Sequence, residues 1–270
     1  LYINRTRLDE LTRMNDLYIE KEKFNAKKQQ PFLVQVPNGS LMKVLQRIKD
    51  RLSKIAMPSF IHCPAPGRSY ITNAKAHINS REVRSLDIRK YFPSSQSGRV
   101  YWFFYEVMRC SPDVAGILTK LSTVDGHLPT GSPLSPILSY FAHMDMWEAI
   151  NEQVESAGCT LTVYMDDVTI SGSSVPCSLI WQVKKEFHRC GLCDNKKKEK
   201  HYVGNKARKI TGVITKDGKL DLPNSQRKKM HERHQAIERE TEHAEIKHLM
   251  QSLRGLESQA QQIRKANENM

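Results

Sequence analysis

The clearest pattern in the chain is a pair of short apolar, β-branched runs, TLTVY at 160–164 and VTISG at 168–172, separated by a turn holding Asp166 and Asp167. The pairing predicts a packed β-hairpin with two carboxylates at its tip. Other elements follow from the same periodicities. Residues 1–26 read as helical, with Leu8, Leu11, Leu17 and Ile19 among charges, and 27–39 as a short strand closed by a Pro-Asn-Gly turn. Ser40 reads as the cap of a helix whose Leu41, Val44, Leu45, Ile48 and Leu52 share one face. A helical turn is expected around 73–77, a strand over 82–92 ending at Pro93, and a Ser-capped helix from 94 to 110. A Pro/Gly/Ser loop at 126–136 leads into a helix over 137–153, and the helix at 175–191 stops at Gly191. Residues 207–215 read as a strand before an Asp217-Gly218 turn. The last forty residues read as one helix, from Ile246, Leu249, Met250, Leu253, Leu256, Ala260 and Ile263. The order of mixed strands and helices is that of an α+β domain with an antiparallel sheet.

Composition narrows the class of partner. The 270 residues are 39% hydrophobic and 26% charged, and no run approaches the roughly 18 apolar residues of a membrane helix. The first residues are polar and charged, unlike a secretory signal, so a cytoplasmic protein with no membrane partner is expected. Lys plus Arg is 42 against 29 Asp plus Glu, a net charge of +13, which points to an anionic partner such as nucleic acid. The excess peaks late: residues 196–233 hold 13 Lys or Arg against 4 Asp or Glu. The six cysteines read as reduced thiols. Cys190 and Cys193 form a lone CxxC, for which His201 is the only further zinc ligand nearby.

Two adjacent carboxylates on an apolar hairpin repel each other, and burial aggravates the repulsion. A divalent cation relieves it, and Mg²⁺ prefers such oxygen ligands. Asp87 ends the apolar strand VRSLD and supplies a third carboxylate. Three convergent carboxylates could hold two metal ions, an arrangement that supports phosphoryl transfer.

With Asp87 included, the ordered segments SLDIRKYFPSS, GHLPTGSPLSPILS and YMDD resemble motifs A, B and C of reverse transcriptases. Asn73-Ala-Lys-Ala-His77, Thr130 in PTGSP and Ile210-Thr-Gly212 resemble elements of the bacterial retron branch. The resemblance spans roughly residues 27–230. It implies a right-hand polymerase fold: an N-terminal helix and fingers over 1–80, a palm over 81–213 holding part of the fingers, and a thumb with the C-terminal helix over 214–270.

The resemblance also implies roles. Asp87, Asp166 and Asp167 would be catalytic and, with the backbone carbonyl of Ile88, would bind two Mg²⁺ or Mn²⁺ ions. Phe92 would be a steric gate under the sugar; Thr130, Gly131 and Ser132 would lie beside the nucleotide; Lys198 would reach its triphosphate. Thr211 and Gly212 would belong to a primer grip, and Arg227, Lys228, Lys229 and Arg233 would contact nucleic-acid phosphates. Asn73 and His77 would either touch RNA or buttress the palm. The implied activity is RNA-directed DNA synthesis from dNTPs on a structured non-coding RNA that serves as template and primer, yielding cDNA for phage defence with an effector protein.

One departure stands out. The family pattern RxIxxP in the fingers places Arg where this chain has Phe32, leaving Lys27, Lys28 or Lys43 as substitutes. That departure motivates one alternative, template-independent DNA synthesis of the abortive-infection kind; a second is an inactive RNA-binding scaffold whose function lies in the basic thumb.

Overall fold

A computed structural model describes residues 10–14, 16–25 and 30–269. The expected contributions of Leu8, Lys27 and Lys28 lie outside the described residues. At its centre is a five-stranded sheet. Its strands, in spatial order, are β3 (Ile61–Cys63), β5 (Thr160–Tyr164), β6 (Asp167–Gly172), β4 (Glu82–Asp87) and β7 (Lys200–Val203). All neighbours are antiparallel except β3 and β5, so the expected α+β class with a mostly antiparallel sheet is what the chain adopts.

The sheet is held by burial on both of its faces, with Val83 and Leu86 packing into different apolar clusters. Val83 and Leu86 on β4, Leu161 and Val163 on β5, and Val168 and Ile170 on β6 are all buried. Helices cover the sheet, chiefly α7 (Met144–Ser156) and α8 (Cys177–Arg189), which turn Trp147, Ile150, Val183 and Phe187 into one core. Trp147 and Phe187 meet edge to face with centroids 6.0 Å apart, a favourable aromatic geometry. Helix α8 stops at Gly191, whose φ of 73° suits glycine.

Three smaller pieces surround this core. A hairpin of β1 (Tyr18–Asn25) and β2 (Gln30–Pro37) leads into α1 (Gly39–Leu52), whose expected apolar face is buried. A three-stranded sheet follows β7, made of β8 (Arg208–Ile210), β9 (Val213–Lys216) and β10 (Lys219–Asp221). It carries two long helices, α9 (Asn224–Arg239) and α10 (His243–Glu268), which together occupy most of the C-terminal region. Leu249, Leu253, Ala260 and Ile263 form the buried stripe of α10, whereas Met250 is exposed.

Several local expectations are corrected. Residues 18–25 form a strand within the region read as helical, because their backbone groups pair with 30–37. The cap of α1 is Asn38, whose Oδ1 accepts from Leu41 N at 2.9 Å, and Ser40 already lies inside the helix. Strand β4 ends at Asp87; Lys90 turns left-handed and Pro93 falls within the short helix α3 (Tyr91–Ser94). The helix expected from 94 runs only from Ser97 to Trp102 as α4 without a side-chain cap, then widens into a π turn over Phe103–Val107. The helix expected over 137–153 breaks at His143 between α6 (Ser135–Ala142) and α7. Residues 207–215 are two strands, divided at Thr211 and Gly212, which both have positive φ.

His77 ties the fold together. It is fully buried, and its two ring nitrogens lie 2.6 Å from Ser171 Oγ and Thr162 Oγ1, on β6 and β5. Burial, then the charges of His62 and Arg208, push its pKa down to about 3. The unfolded chain therefore takes up a proton below about pH 6.5 that the folded one refuses, and this contribution to stability declines as pH falls through that range. His77→Ala should cost about 2–4 kcal/mol at pH 8, since it opens a cavity, removes the His77 bond to Thr162 Oγ1 and leaves Ser171 Oγ with only its bond from Ser80, and the cost should shrink towards pH 5. Denaturant unfolding across pH checks both parts; a cost independent of pH would overturn the buried neutral histidine.

Candidate active site

Strands β4 and β6 bring the carboxylates together. Asp87 at the end of β4 is the cross-strand partner of Asp167 at the start of β6. Met165 takes a positive φ of 60°, which tightens the turn from β5, and Ile88 N donates to Asp166 O at 2.9 Å. That bond locks the carboxylate-bearing turn against the strand carrying Asp87.

The electrostatics register this crowding. Burial, then the charge of Asp87, raise the Asp166 pKa, partly offset by a bond to its own backbone and by Lys198. Much of Asp167 faces solvent, yet loss of water around its carboxyl, then Asp166 and Asp87, push it up to about 6. Its folded pKa lies above the ordinary aspartate value, so the stability attached to its protonated form is full below about pH 4. That stability is lost as pH rises through about 6. In metal-free protein, Asp167→Asn should raise the unfolding temperature at pH 8 and leave it unchanged at pH 4; calorimetry at the two pH values checks this.

Asp87 is 4% exposed and fully engaged. Lys198 Nζ donates to its Oδ2 at 2.5 Å and Asn195 Nδ2 to its Oδ1 at 3.1 Å, while Asn195 N donates to its backbone carbonyl at 2.8 Å. The lysine is the counter-charge for the whole group. A cleft of about 550 Å³ opens beside it, lined by Asp87, Asp167, Lys198, Lys200, Lys209 and Thr211 among others. A ligand entering there meets lysines and carboxylates side by side.

The donor chemistry suits a hard divalent cation, since Asp87 lies close enough to raise the pKa of Asp166, and both raise that of Asp167. Among the described residues, however, no three such groups are arranged to hold a metal ion as they stand, and Lys198 and Asn195 occupy the oxygens of Asp87.

The loop at 128–133 docks on the β1–β2 hairpin. Leu128 and Ser132 are buried, Thr130 is exposed, and Gly131 N donates to Gln35 O at 3.1 Å. A β-carbon on Gly131 would lie 2.5 Å from Gln35 O and 2.8 Å from Val34 Cγ1, so the need for glycine is one of space. Phe92 is half-buried, stacked on Tyr91 at 6.1 Å between centroids. Phe32 is 45% exposed on the hairpin, directly across from Lys23, and Lys43 is exposed on α1.

Other singled-out residues fall elsewhere. Asn73 is as enclosed as His77 and donates to Thr211 Oγ1 at 3.3 Å, so both sit inside the fold, away from the exposed surface. Thr211 in turn donates to Tyr70 O at 3.0 Å, and with Gly212 it borders the cleft. Arg227, Lys228, Lys229 and Arg233 lie on α9, all exposed. Arg227 is held by Asp221 at 2.6 Å and Lys228 pairs loosely with Glu232. Sequence reasoning missed Asn195, whose amide touches Asp87; its place one residue beyond Asp194, at the start of the lysine run, carried no distinguishing signal.

The comparisons give this arrangement its context. No protein-family model matches the chain. It is 32% identical over 176 residues to the retron Se72 reverse transcriptase of Salmonella heidelberg (strain 579083-10), covering 63% of this chain and 46% of that protein. Against the retron Ec86 reverse transcriptase of Escherichia coli it is 26% identical over 187 residues, covering 67% and 58%, and against the retron Mx65 reverse transcriptase of Myxococcus xanthus 30% over 154 residues, covering 50% and 36%. The mixed α+β fold and the carboxylate-bearing hairpin are compatible with a reverse transcriptase. More particularly, this chain is a homologue of retron reverse transcriptases. It spans about half the length of these relatives. No helix among the described residues is long and apolar enough to cross a membrane.

Proposed function

We propose that the protein is an RNA-directed DNA polymerase of the retron type, extending a primer on a structured non-coding RNA with dNTPs. The observation that carries this reading is the cross-strand placement of Asp87 and Asp167 at a lysine-lined cleft, in a homologue of retron reverse transcriptases. In this reading the central sheet is the palm, the β1–β2 hairpin belongs to the fingers, and α9 and α10 form the thumb. The product would be RNA-linked single-stranded DNA made in the cytoplasm for phage defence, alongside an effector protein.

Asp87, Asp166 and Asp167, with the carbonyl of Ile88, would hold two Mg²⁺ ions. When bound, such ions activate the primer hydroxyl and neutralise charge on the transferred phosphoryl group. The chain's own groups do the rest. Lys198, released from Asp87, meets the triphosphate and stabilises the departing pyrophosphate. Gly131 lets the 128–133 loop approach the hairpin closely, setting one wall for the nucleotide, and Phe92 excludes a ribose 2′-hydroxyl. Lys228, Lys229 and Arg233 hold duplex phosphates without reading sequence.

The test is dNTP incorporation by the purified protein with its co-purifying RNA and Mg²⁺, with that RNA sequenced. DNA covalently joined to the RNA supports the reading, and no product with the RNA present sinks it. Phe32 in place of the expected arginine favours one second reading, template-independent synthesis. Homopolymer formation without added RNA would establish it.

A further inference from the structure

The loop that delivers Lys198 to Asp87 is a surplus in an edge strand. Along β4 the chain advances three residues from Ser85 to Ile88, while its neighbour covers six between the paired positions Lys200 and Asp194. The excess bulges outward around Lys196, Lys197 and Lys198, closed by Lys198 N donating to Asn195 O at 2.9 Å. A bulge of this kind aims a side chain, but its reach depends on how firmly its two ends are held.

Both ends are held by one cation. Asp194 precedes the bulge and Glu199 ends it. Lys184 Nζ, on α8, lies 3.1 Å from Asp194 Oδ2 and 2.6 Å from Glu199 Oε2. Asp194 is 7% exposed and Lys184 22%, so the charges are sheltered, unlike a solvated surface pair; Lys184 hydrogen-bonds Glu199 and holds Asp194 by charge at 3.1 Å. Among the described residues no other cation bridges these two carboxylates. Helix α8 is itself anchored by Val183 and Phe187, so the staple transmits the rigidity of the core.

We propose that Lys184 is a positioning residue: by pinning Asp194 and Glu199 it sets the width of the bulge and so places Lys198 against Asp87 and the incoming triphosphate. The kinetic part of this inference rests on the polymerase reading of the site; the structural part does not.

The experiment compares wild type with Lys184→Met, Lys184→Arg, Lys198→Ala and the Lys184→Met/Lys198→Ala double variant in single-nucleotide incorporation. Lys184→Met should lower the incorporation rate about ten- to a hundredfold, as misplacement by about 1 Å does, with the nucleotide Kd moving less. Lys184→Arg should recover most of the rate. In the Lys198→Ala background Lys184→Met should cost nothing further, since the two act as a unit. An equal loss in that background, or an unimpaired Lys184→Met enzyme, overturns the proposal. Hydrogen exchange of amides 194–199 separates this outcome from failure of the polymerase reading. If the wild type incorporates nothing, faster exchange confined to that segment in Lys184→Met upholds the staple. Unchanged exchange overturns it. Lys184→Gln, which also removes the charge, serves where the methionine variant fails to fold.

Discussion

Asp166→Asn should abolish nucleotide incorporation, lowering the rate by at least about a thousandfold, which is about 4 kcal/mol of transition-state stabilisation. The substitution keeps the side chain's shape, and the turn is held by the backbone bond from Ile88 N to Asp166 O, which asparagine retains. The unfolding temperature should therefore stay put or rise, because a carboxyl whose pKa is raised by burial and by Asp87 loses an unfavourable charge. Loss of activity with unimpaired stability is what separates a chemical role from a structural one. Activity above a tenth of wild type would refute the assigned site. An unchanged biological effect with polymerisation abolished would instead favour an RNA-binding scaffold.

Gly131→Ala should weaken both stability and nucleotide binding, through a different route. The added β-carbon meets a backbone carbonyl, which cannot rotate aside as a long side chain can. The 128–133 loop and the β1–β2 hairpin must separate, breaking the Gly131–Gln35 bond. Overpacking of this kind costs about 1–3 kcal/mol. Because the two segments form one wall of the proposed nucleotide site, the dNTP Kd should rise about tenfold, more than the rate falls. Thermal melting and nucleotide titration read the two effects separately. Wild-type nucleotide affinity in Gly131→Ala would show that this contact plays no part in binding.

What could be seen in the sequence was what depends on near neighbours. The 160–172 hairpin, the buried face of α1 and the stop at Gly191 all follow from local spacing and turn chemistry, and they appear where expected. Strand β1 does not, because Glu20-Lys21-Glu22-Lys23 has no apolar alternation and becomes a strand only by pairing with 30–37. Helix α5 (Pro112–Ser122) was legible but passed over: Ser111, Pro112 and Asp113 are a good helix start. Within the site, Asp87, Asp166, Asp167 and Lys198 could be picked out by motif, and the structure brings all four together. Lys184 could not. Its partners lie ten and fifteen residues away on another element, and a lysine on a helix reads as a solvated face until the fold brings the bulge to it.

The strand that carries Asp87 has a consequence for how the protein is made. Strand β4 pairs on one side with residues 167–172 and on the other with 200–203. A chain emerging from the ribosome therefore exposes the Asp87 strand, with neither neighbour yet synthesised, for the time it takes to add some eighty residues on one side and well over a hundred on the other. Contacts of such long sequence separation form slowly and leave unpaired strand edges exposed meanwhile. The polar and charged residues that interrupt β4, Arg84 and Ser85, keep that waiting strand from being an uninterrupted apolar template. The segment carrying the site's most enclosed carboxylate is thus synthesised well before either of the strands that complete it.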